Sequence, residues 1–300
     1  NEISDDGGKK LAKACGGSES MKRVYLEEQF VIADTNGDGG AVRGVGADII
    51  LKGVSAVENR CTGDGGAVSV SSGTLTIADS TFQYNESDDD GGAVAVSSSD
   101  YTDSGSLYYS NEGVRGGALL IESSQVDVED CELTGNEAED QGGGIAIVGG
   151  SHVHMERLLV TGNEAEVDGG GLSISDLEDD DSWIRNSIIQ DNQSGVTGGG
   201  VSISGNEAVF IFANNHILGN ATVLEGAGVH IDAEESEGLY VWSNLIGWND
   251  GTSGLYCEKG IGASVAYNTG FSTTSGINFT IGEAEDGGDN EEDNPILAGF

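Results

Sequence analysis

Apolar residues recur in pairs two positions apart, and the pairs themselves return roughly every 26 residues along the chain. Val68/Val70, Val94/Val96, Leu119/Ile121, Ile145/Ile147, Leu172/Ile174, Val201/Ile203 and Val229/Ile231 form one series. Ile49/Leu51, Leu75/Ile77, Val126/Val128, Val153/Met155, Phe210/Phe212 and Leu239/Val241 form a second. A third apolar position follows the second series: Phe82, Tyr108, Leu133, Val160, Ile189, Ile217 and Ile246. Alternation at spacing two marks strands with one buried face. No segment sustains a 3.6-residue apolar stripe, which disfavours a helical solenoid. Three short strands per ~26 residues predict an all-β fold, a right-handed parallel β-helix wound as a single-stranded solenoid. About nine coils stacked at ~4.8 Å give a rod of ~40 Å.

Asparagine keeps the same period. Asn59, Asn85, Asn111, Asn136, Asn163, Asn192, Asn220 and Asn249 lie 25 to 29 residues apart. Each of the first six is followed five or six positions later by a glycine run, as in Gly65-Gly66-Ala67-Val68 and Gly142-Gly143-Gly144-Ile145. Asparagine and glycine both tolerate the left-handed backbone of tight corners. Eight asparagines in register also predict a ladder of amide hydrogen bonds along one corner of the rod. Asn85, Asn192, Asn220 and Asn278 sit in Asn-x-Ser/Thr glycosylation sequences. Three of these belong to the ladder, leaving Asn278 as the one free of a structural role.

The repeat covers residues 31–268 and argues for one elongated body. Residues 1–30 fall outside it and predict a cap over the open end of the solenoid. Residues 269–300 form an irregular acidic segment that could continue into a further element. One coil breaks the pattern, because Tyr101 and Asp103 stand where the apolar pair belongs.

Charge changes the picture next. The chain has 52 acidic and 12 basic residues, a formal net charge of −40. It offers no basic track, so nucleic acid and anionic membrane surfaces are excluded as partners. No run of ~18 apolar residues spans a bilayer. The acids cluster before the glycines, as in Glu86-Ser87-Asp88-Asp89-Asp90, and after a strand, as in Asp176 to Asp181. Stacked, these become carboxylate ridges that repel unless cations neutralise them. A solvated, anti-aggregation face is the simpler reading.

The chemistry on offer is thin. Asp34, Asn36 and Asp38 occupy the first three ligand positions of a calcium loop, but its twelfth position is Val45 and a full EF-hand is excluded. Asp64 and Asp90 share the register of Asp38, so these five residues are the candidate Ca2+ ligands, against an ordinary Asp-Gly turn. His152 and His154 face one way on a strand but lack an evident third ligand. Trp183, Trp242 and Trp248 suggest a sugar surface or packing. Cys131 and Cys257 read as buried thiols, and a Cys15–Cys61 bridge is an alternative use for the other two. Arg115, Arg157, Arg185 and Lys259 are scattered, and no convergent acid and base can be assembled from sequence.

The Gly-Gly-Ala-Val/Leu tetrapeptides at 39–42, 65–68, 91–94 and 116–119, with Phe82-Gln83-Tyr84-Asn85, resemble the repeats of the chlamydial polymorphic membrane proteins. The resemblance covers residues 31–268; one unit alone carries the whole Phe-x-x-Asn motif. It implies a secreted or cell-surface bacterial β-helix serving as an adhesin stalk or filament subunit. The expected partners are then other copies stacked end to end, or a host or cell-surface protein or glycan. The expectation is a non-enzymatic protein. The alternatives are a polysaccharide lyase or glycoside hydrolase of β-helix type, and a calcium-dependent matrix protein.

Overall fold

The computed structural model describes the backbone over residues 23–27, 30–31, 34–177, 181–205, 209–233 and 238–260, with short strands out to residue 292. Side chains are described for Leu26 and over 36–177, 181–205, 209–232 and 238–257. Among these residues every regular element is a strand. The chain winds as a right-handed parallel solenoid.

Each coil feeds four sheets in a fixed order. In the coil of Asn85, Thr74–Ala78 lies in the first sheet and Thr81–Gln83 in the second. Glu86–Ser87 then enters the third sheet and Val94–Ser97 the fourth. Among the described residues the sheets hold 11, 11, 8 and 10 strands, and eight coils place a strand in all four. Neighbouring strands are parallel and in register, so Val68, Val94 and Leu119 stack directly.

The apolar series of the sequence are the first, second and fourth sheets. The third sheet is an addition to the three expected strands. Its strands are two residues long, too short for alternation to be read. Their inward position holds a small buried residue: Cys61, Ser87, Gly113, Ala138, Ala165, Ser194 or Thr222. Paired strands also extend beyond 31–268. Arg23–Glu27 pairs with Asp48–Lys52, and Glu291–Glu292 with Thr269–Gly270. Residues 1–22, including Cys15, and Asn278 lie outside the described residues; of the expected cap at 1–30, residues 23–27 and 30 are strand residues paired with the next coil. Cys61, Cys131 and Cys257 are buried free thiols.

Corners are made by left-handed residues, and here the sequence reading needs correction. The residue that takes positive φ is the one before each ladder asparagine: Glu58, Tyr84, Ser110, Gly135, Gly162, Asp191, Gly219 and Trp248, at φ between 50° and 66°. The corner thus turns one residue early, and the asparagine itself points inward, at most 1% exposed. Left-handed backbone costs an ordinary side chain about 1–2 kcal/mol. What offsets it is the hydrogen bonding that follows each turn.

Three corners carry side-chain ladders. At the asparagine corner, the amide oxygen of each coil accepts from the backbone N–H and Nδ2 of the coil before it. For Asn85 those distances are 3.1 and 2.7 Å from Asn59. Its own Nδ2 donates to Ala56 O at 3.1 Å and Asn111 Oδ1 at 2.8 Å. The same bonding repeats to Asn249, whose Oδ1 accepts from Asn220 Nδ2 at 3.1 Å. Serine hydroxyls do this work at two further corners. Val54 N donates to Ser80 Oγ and Ser80 N to Ser106 Oγ, at 3.1 and 3.2 Å. Gly73 N donates to Ser99 Oγ and Ser99 N to Ser124 Oγ, each at 3.1 Å.

The core is one column of stacked aliphatic and aromatic side chains. Phe82 and Tyr108 stack with centroids 5.0 Å apart and planes within 5°. The irregular coil sits here. Tyr101 and Asp103 keep the inward positions of the missing apolar pair and are 1% and 2% exposed. Asp103 accepts hydrogen bonds from Ser106 Oγ at 2.6 Å, Tyr101 OH at 3.0 Å and the Tyr108 hydroxyl. Burial raises its pKa to about 6, although the three hydroxyl donors pull the other way.

That shift fixes a sign. Between the unfolded carboxyl value of ~3.9 and about 6, the folded chain holds the Asp103 proton more tightly than the unfolded chain. Stability from this group is therefore full below the unfolded value and falls as pH rises through 6, by at most ~3 kcal/mol. Asp103→Asn should flatten that part of the profile. Urea melts of both proteins at pH 4, 5, 6 and 7 check it, and parallel profiles would show that Asp103 contributes no linkage.

Candidate functional surfaces

The eight ladder asparagines are buried structural residues. That burial closes Asn85, Asn192 and Asn220 to glycosylation in the folded chain, since each is at most 1% exposed.

The calcium candidates divide. Asp34 has a described backbone only, paired with Arg60 in the third sheet. Asn36 is exposed, and Asp38 forms an ion pair with Arg43 at 2.8 Å. Asp38, Asp64 and Asp90 do share a column, since Gly39 N donates to Asp64 O and Gly65 N to Asp90 O. The next member of that column is Arg115, because Gly91 N donates to Arg115 O. Its guanidinium grips Asp90, with Nε 3.1 Å from both oxygens and Nη2 2.5 Å from Oδ2. A cation from the chain itself thus neutralises one expected ligand.

The carboxylates that converge are Asp64, Asp89 and Asp90, each with an oxygen within 4.8 Å of the others. Burial, then Asp89, Asp90 and Asp38, push the Asp64 pKa upward, against a hydrogen bond from the Asp90 backbone. Asp89 was missing from the sequence set because it precedes the shared register by one residue. These residues hold a second argument for a cation only through charge: three acids in one corner.

A glutamate ridge runs along the third sheet. Glu86, Glu112, Glu137 and Glu164 are direct parallel neighbours, flanked by Arg60 and Gln193. Burial first, then Glu86, Glu137 and Glu139, raise the pKa of Glu112. Another line of charge along the first sheet is better compensated. Arg157 reaches Asp130 and Glu129 of the preceding coil and also contacts Glu156. Arg185 bonds Glu156 from the next coil at 3.0 Å. Both arginines stand toward solvent, which screens these pairs.

The outer face of the first sheet carries a shallow groove lined by Asp100, Thr102, Gln125, Asp127, His152 and His154. Parallel register places these residues on three consecutive strands: Asp100 opposes Gln125, Gln125 opposes His152, and Asp127 opposes His154. The strand pleat turns all six outward. His154 Nδ1 lies 3.3 Å from Asp127 Oδ1, a pairing that sequence separation conceals. Trp183, the next residue in that row, stacks on His154 with centroids 4.7 Å apart. Arg185 sits 3.9 Å over the same indole. An imidazole and a guanidinium thus already contact the Trp183 ring and compete with a sugar for its surface. Trp242 packs against Tyr240 at 4.7 Å and is 36% exposed.

No helix among the described residues is long and apolar enough to cross a membrane. No curated protein and no solved structure matches the chain. The family described as right handed beta helix region matches residues 66–246. That stretch exceeds half of the 300 residues and coincides with the laddered coils, so the chain belongs to the right-handed β-helix family.

Proposed function

We propose that the chain is an extracellular bacterial surface protein, a non-enzymatic adhesin stalk or filament subunit. The observation that carries this reading is the continuity of the coils. Eight complete coils share one core, and an unbroken amide ladder runs through seven of them from Asn59 to Asn220 and on to Asn249, which makes a stiff body with its outward side chains left open to solvent. The Gly-Gly-Ala-Val/Leu units and their likeness to chlamydial surface proteins support the location. The high negative charge supports life in solvent and keeps such rods apart except at designed contacts. Electron microscopy and light scattering across protein concentration test the filament form, with end-to-end particles expected. Monomers alone at every concentration, with no retention on glycan or cell-surface arrays, would remove this reading.

A polysaccharide-cleaving enzyme is the second reading, favoured by the groove. Asp100 and Asp127 lie diagonally across neighbouring parallel strands there, about 8 Å apart along the backbone diagonal from strand spacing and rise. That is within the spacing range of carboxylate pairs in inverting glycosidases. Incubation with neutral and acidic glycans, followed by assays for reducing ends and unsaturated products, separates the two readings. Products abolished by Asp127→Asn would establish the enzyme.

Calcium enters the surface reading through Asp64 and Asp89, with Asp90 shared between the ion and Arg115. If Ca2+ bridges them, millimolar Ca2+ should raise the melting temperature, and Asp89→Asn should remove most of that rise without salt compensating. Equal melting with Ca2+ and with chelator would end the calcium idea.

A further inference from the structure

The groove on the first sheet holds more than its shape requires. His152 and His154 turn their Nε2 atoms toward each other, 3.2 Å apart. The backbone oxygen of Asp181 lies 3.0 Å from His154 Nε2. Asp127 Oδ1 approaches the opposite nitrogen, Nδ1, at 3.3 Å. A neutral imidazole has one proton to divide between its two nitrogens. Placed on Nδ1, it satisfies Asp127 and leaves the Nε2 lone pair facing a carbonyl oxygen and another imidazole. Placed on Nε2, it bonds one of those two and leaves Nδ1 facing a carboxylate. In either neutral form an acceptor meets an acceptor; the contacts are satisfied only when Nε2 meets a positive partner, a second ring proton or a metal ion, and the Nε2 of His152 turned to the same point favours the metal.

A cation beside Nε2 resolves the conflict. We propose that His152 Nε2, His154 Nε2 and the Asp181 carbonyl oxygen form a binding site for a late first-row divalent cation, of which zinc and copper(II) are the representative probes. Two Zn–N bonds of ~2.0–2.1 Å at a tetrahedral angle put their nitrogens ~3.3–3.4 Å apart, close to the observed separation. Imidazole nitrogen is a preferred donor for zinc and copper, whereas calcium prefers oxygen. Asp127 then takes the Nδ1–H of His154, which fixes the tautomer and ring orientation for metal binding. Trp183, stacked at 4.7 Å and clamped by Arg185, holds the same ring from its flat side. Solvent or a partner's side chain supplies the fourth ligand, so the site is open on the groove side. Neither the surface reading nor the enzymatic reading is needed for this assignment.

With a formal charge of −40, the chain will collect divalent ions loosely on its carboxylates, and the test has to see past that. Titration calorimetry with Zn2+ is run on the folded chain in a hundredfold excess of Ca2+. The expected result is one Zn2+ site per chain that survives Ca2+. His152→Ala or His154→Ala should weaken it at least tenfold, and Asp127→Asn by about tenfold. His216→Ala serves as the control and should change nothing. Cu2+ should quench the Trp183 fraction of the fluorescence, a quench absent in Trp183→Phe. In the unmutated chain, Zn2+ should shift the imidazole NMR signals of His152 and His154 and leave those of His216 and His230 in place, a readout that does not depend on any variant folding. Zn2+ binding equally tight in the double His152→Ala/His154→Ala chain, loss of all binding to Ca2+, or uniform shifts of all four histidines would overturn the site.

Discussion

Asn136→Ala should destabilise the solenoid by about 3–5 kcal/mol, one of the largest effects available to a polar residue in this chain. The Asn136 side chain makes four hydrogen bonds at 0% exposure. Its Oδ1 accepts from Asn111 N at 3.0 Å and from Asn111 Nδ2 at 2.8 Å. Its Nδ2 donates to Tyr108 O at 3.1 Å and to Asn163 Oδ1 at 2.9 Å. Alanine leaves two donors on Asn111 without acceptors and removes a donor from Tyr108 O. Each buried group stranded this way costs ~1–3 kcal/mol. Asn163 Oδ1 suffers less, since it keeps the backbone N–H of residue 136 at 2.9 Å.

Asn136→Asp should be worse than alanine despite its matching shape. A carboxylate would set an oxygen against Tyr108 O and Asn163 Oδ1, and would bury an unpaired charge. Thr134→Ala, on the outward side of the second sheet in the same coil, should stay within ~0.5 kcal/mol. Because solenoids can unfold coil by coil, hydrogen exchange resolved along the chain is the better measurement. Protection should collapse first in the coils of Asn111, Asn136 and Asn163. If the alanine chain matched Thr134→Ala in both melts and exchange, the asparagines would be corner formers only.

The parts of this fold that the sequence displays are those where period and chemistry coincide. Val68/Val70, Leu75/Ile77 and Phe82 mark inward positions directly, because alternation in a strand with one buried face is visible in any single coil. The third sheet escapes this test. Glu86–Ser87 gives one outward and one inward residue, and a buried serine carries no hydrophobic signal. The serine ladders are similar: Ser80 and Ser106, or Ser99 and Ser124, are evident only once the coil length is used to align them. The corner residue was misplaced because asparagine is suited both to left-handed backbone and to buried amide bonding. Only the geometry shows Tyr84 taking the first role and Asn85 the second.

Functional groupings were less legible for a different reason. Asp127 and His154 are 27 positions apart, and their contact depends on strand register, not on local spacing. The same holds for Arg115 and Asp90, where a basic residue enters an acidic column and pairs with an expected calcium ligand. Asp103 is the opposite case. The pattern already placed Tyr101, Asp103 and Tyr108 inward, so their mutual hydrogen bonding could have been inferred from the sequence as it stood.

Gly143→Ala should be at least as damaging as the loss of a ladder amide, for a reason of space. A methyl at residue 143 would fall well under 3.0 Å from the backbone oxygens of Gly170 and Glu164, both in the following coil. Neither is the tip of a flexible side chain, so the collision cannot be relieved by a rotamer change. Adjacent coils would have to separate at that corner while the parallel ladders on either side hold them at ~4.8 Å. The expected cost is at least ~3 kcal/mol, at the upper end for overpacking a tight site. Gly162→Ala provides the comparison. Its φ is +64°, yet nothing lies within 4 Å of the added methyl. The penalty there is conformational alone, about 1–2 kcal/mol. Limited proteolysis and thermal melts should rank the two clearly, with new cleavage in Gly143→Ala near the junction of the Asn136 and Asn163 coils. Equal melting temperatures would mean that coil spacing is softer than the backbone contacts indicate. The same corner recurs at Gly117, where a methyl meets Gly143 O and Glu137 O of its own next coil. The period of glycine is therefore a limit on how closely backbone can stack, and Gly117→Ala should repeat the result one coil earlier.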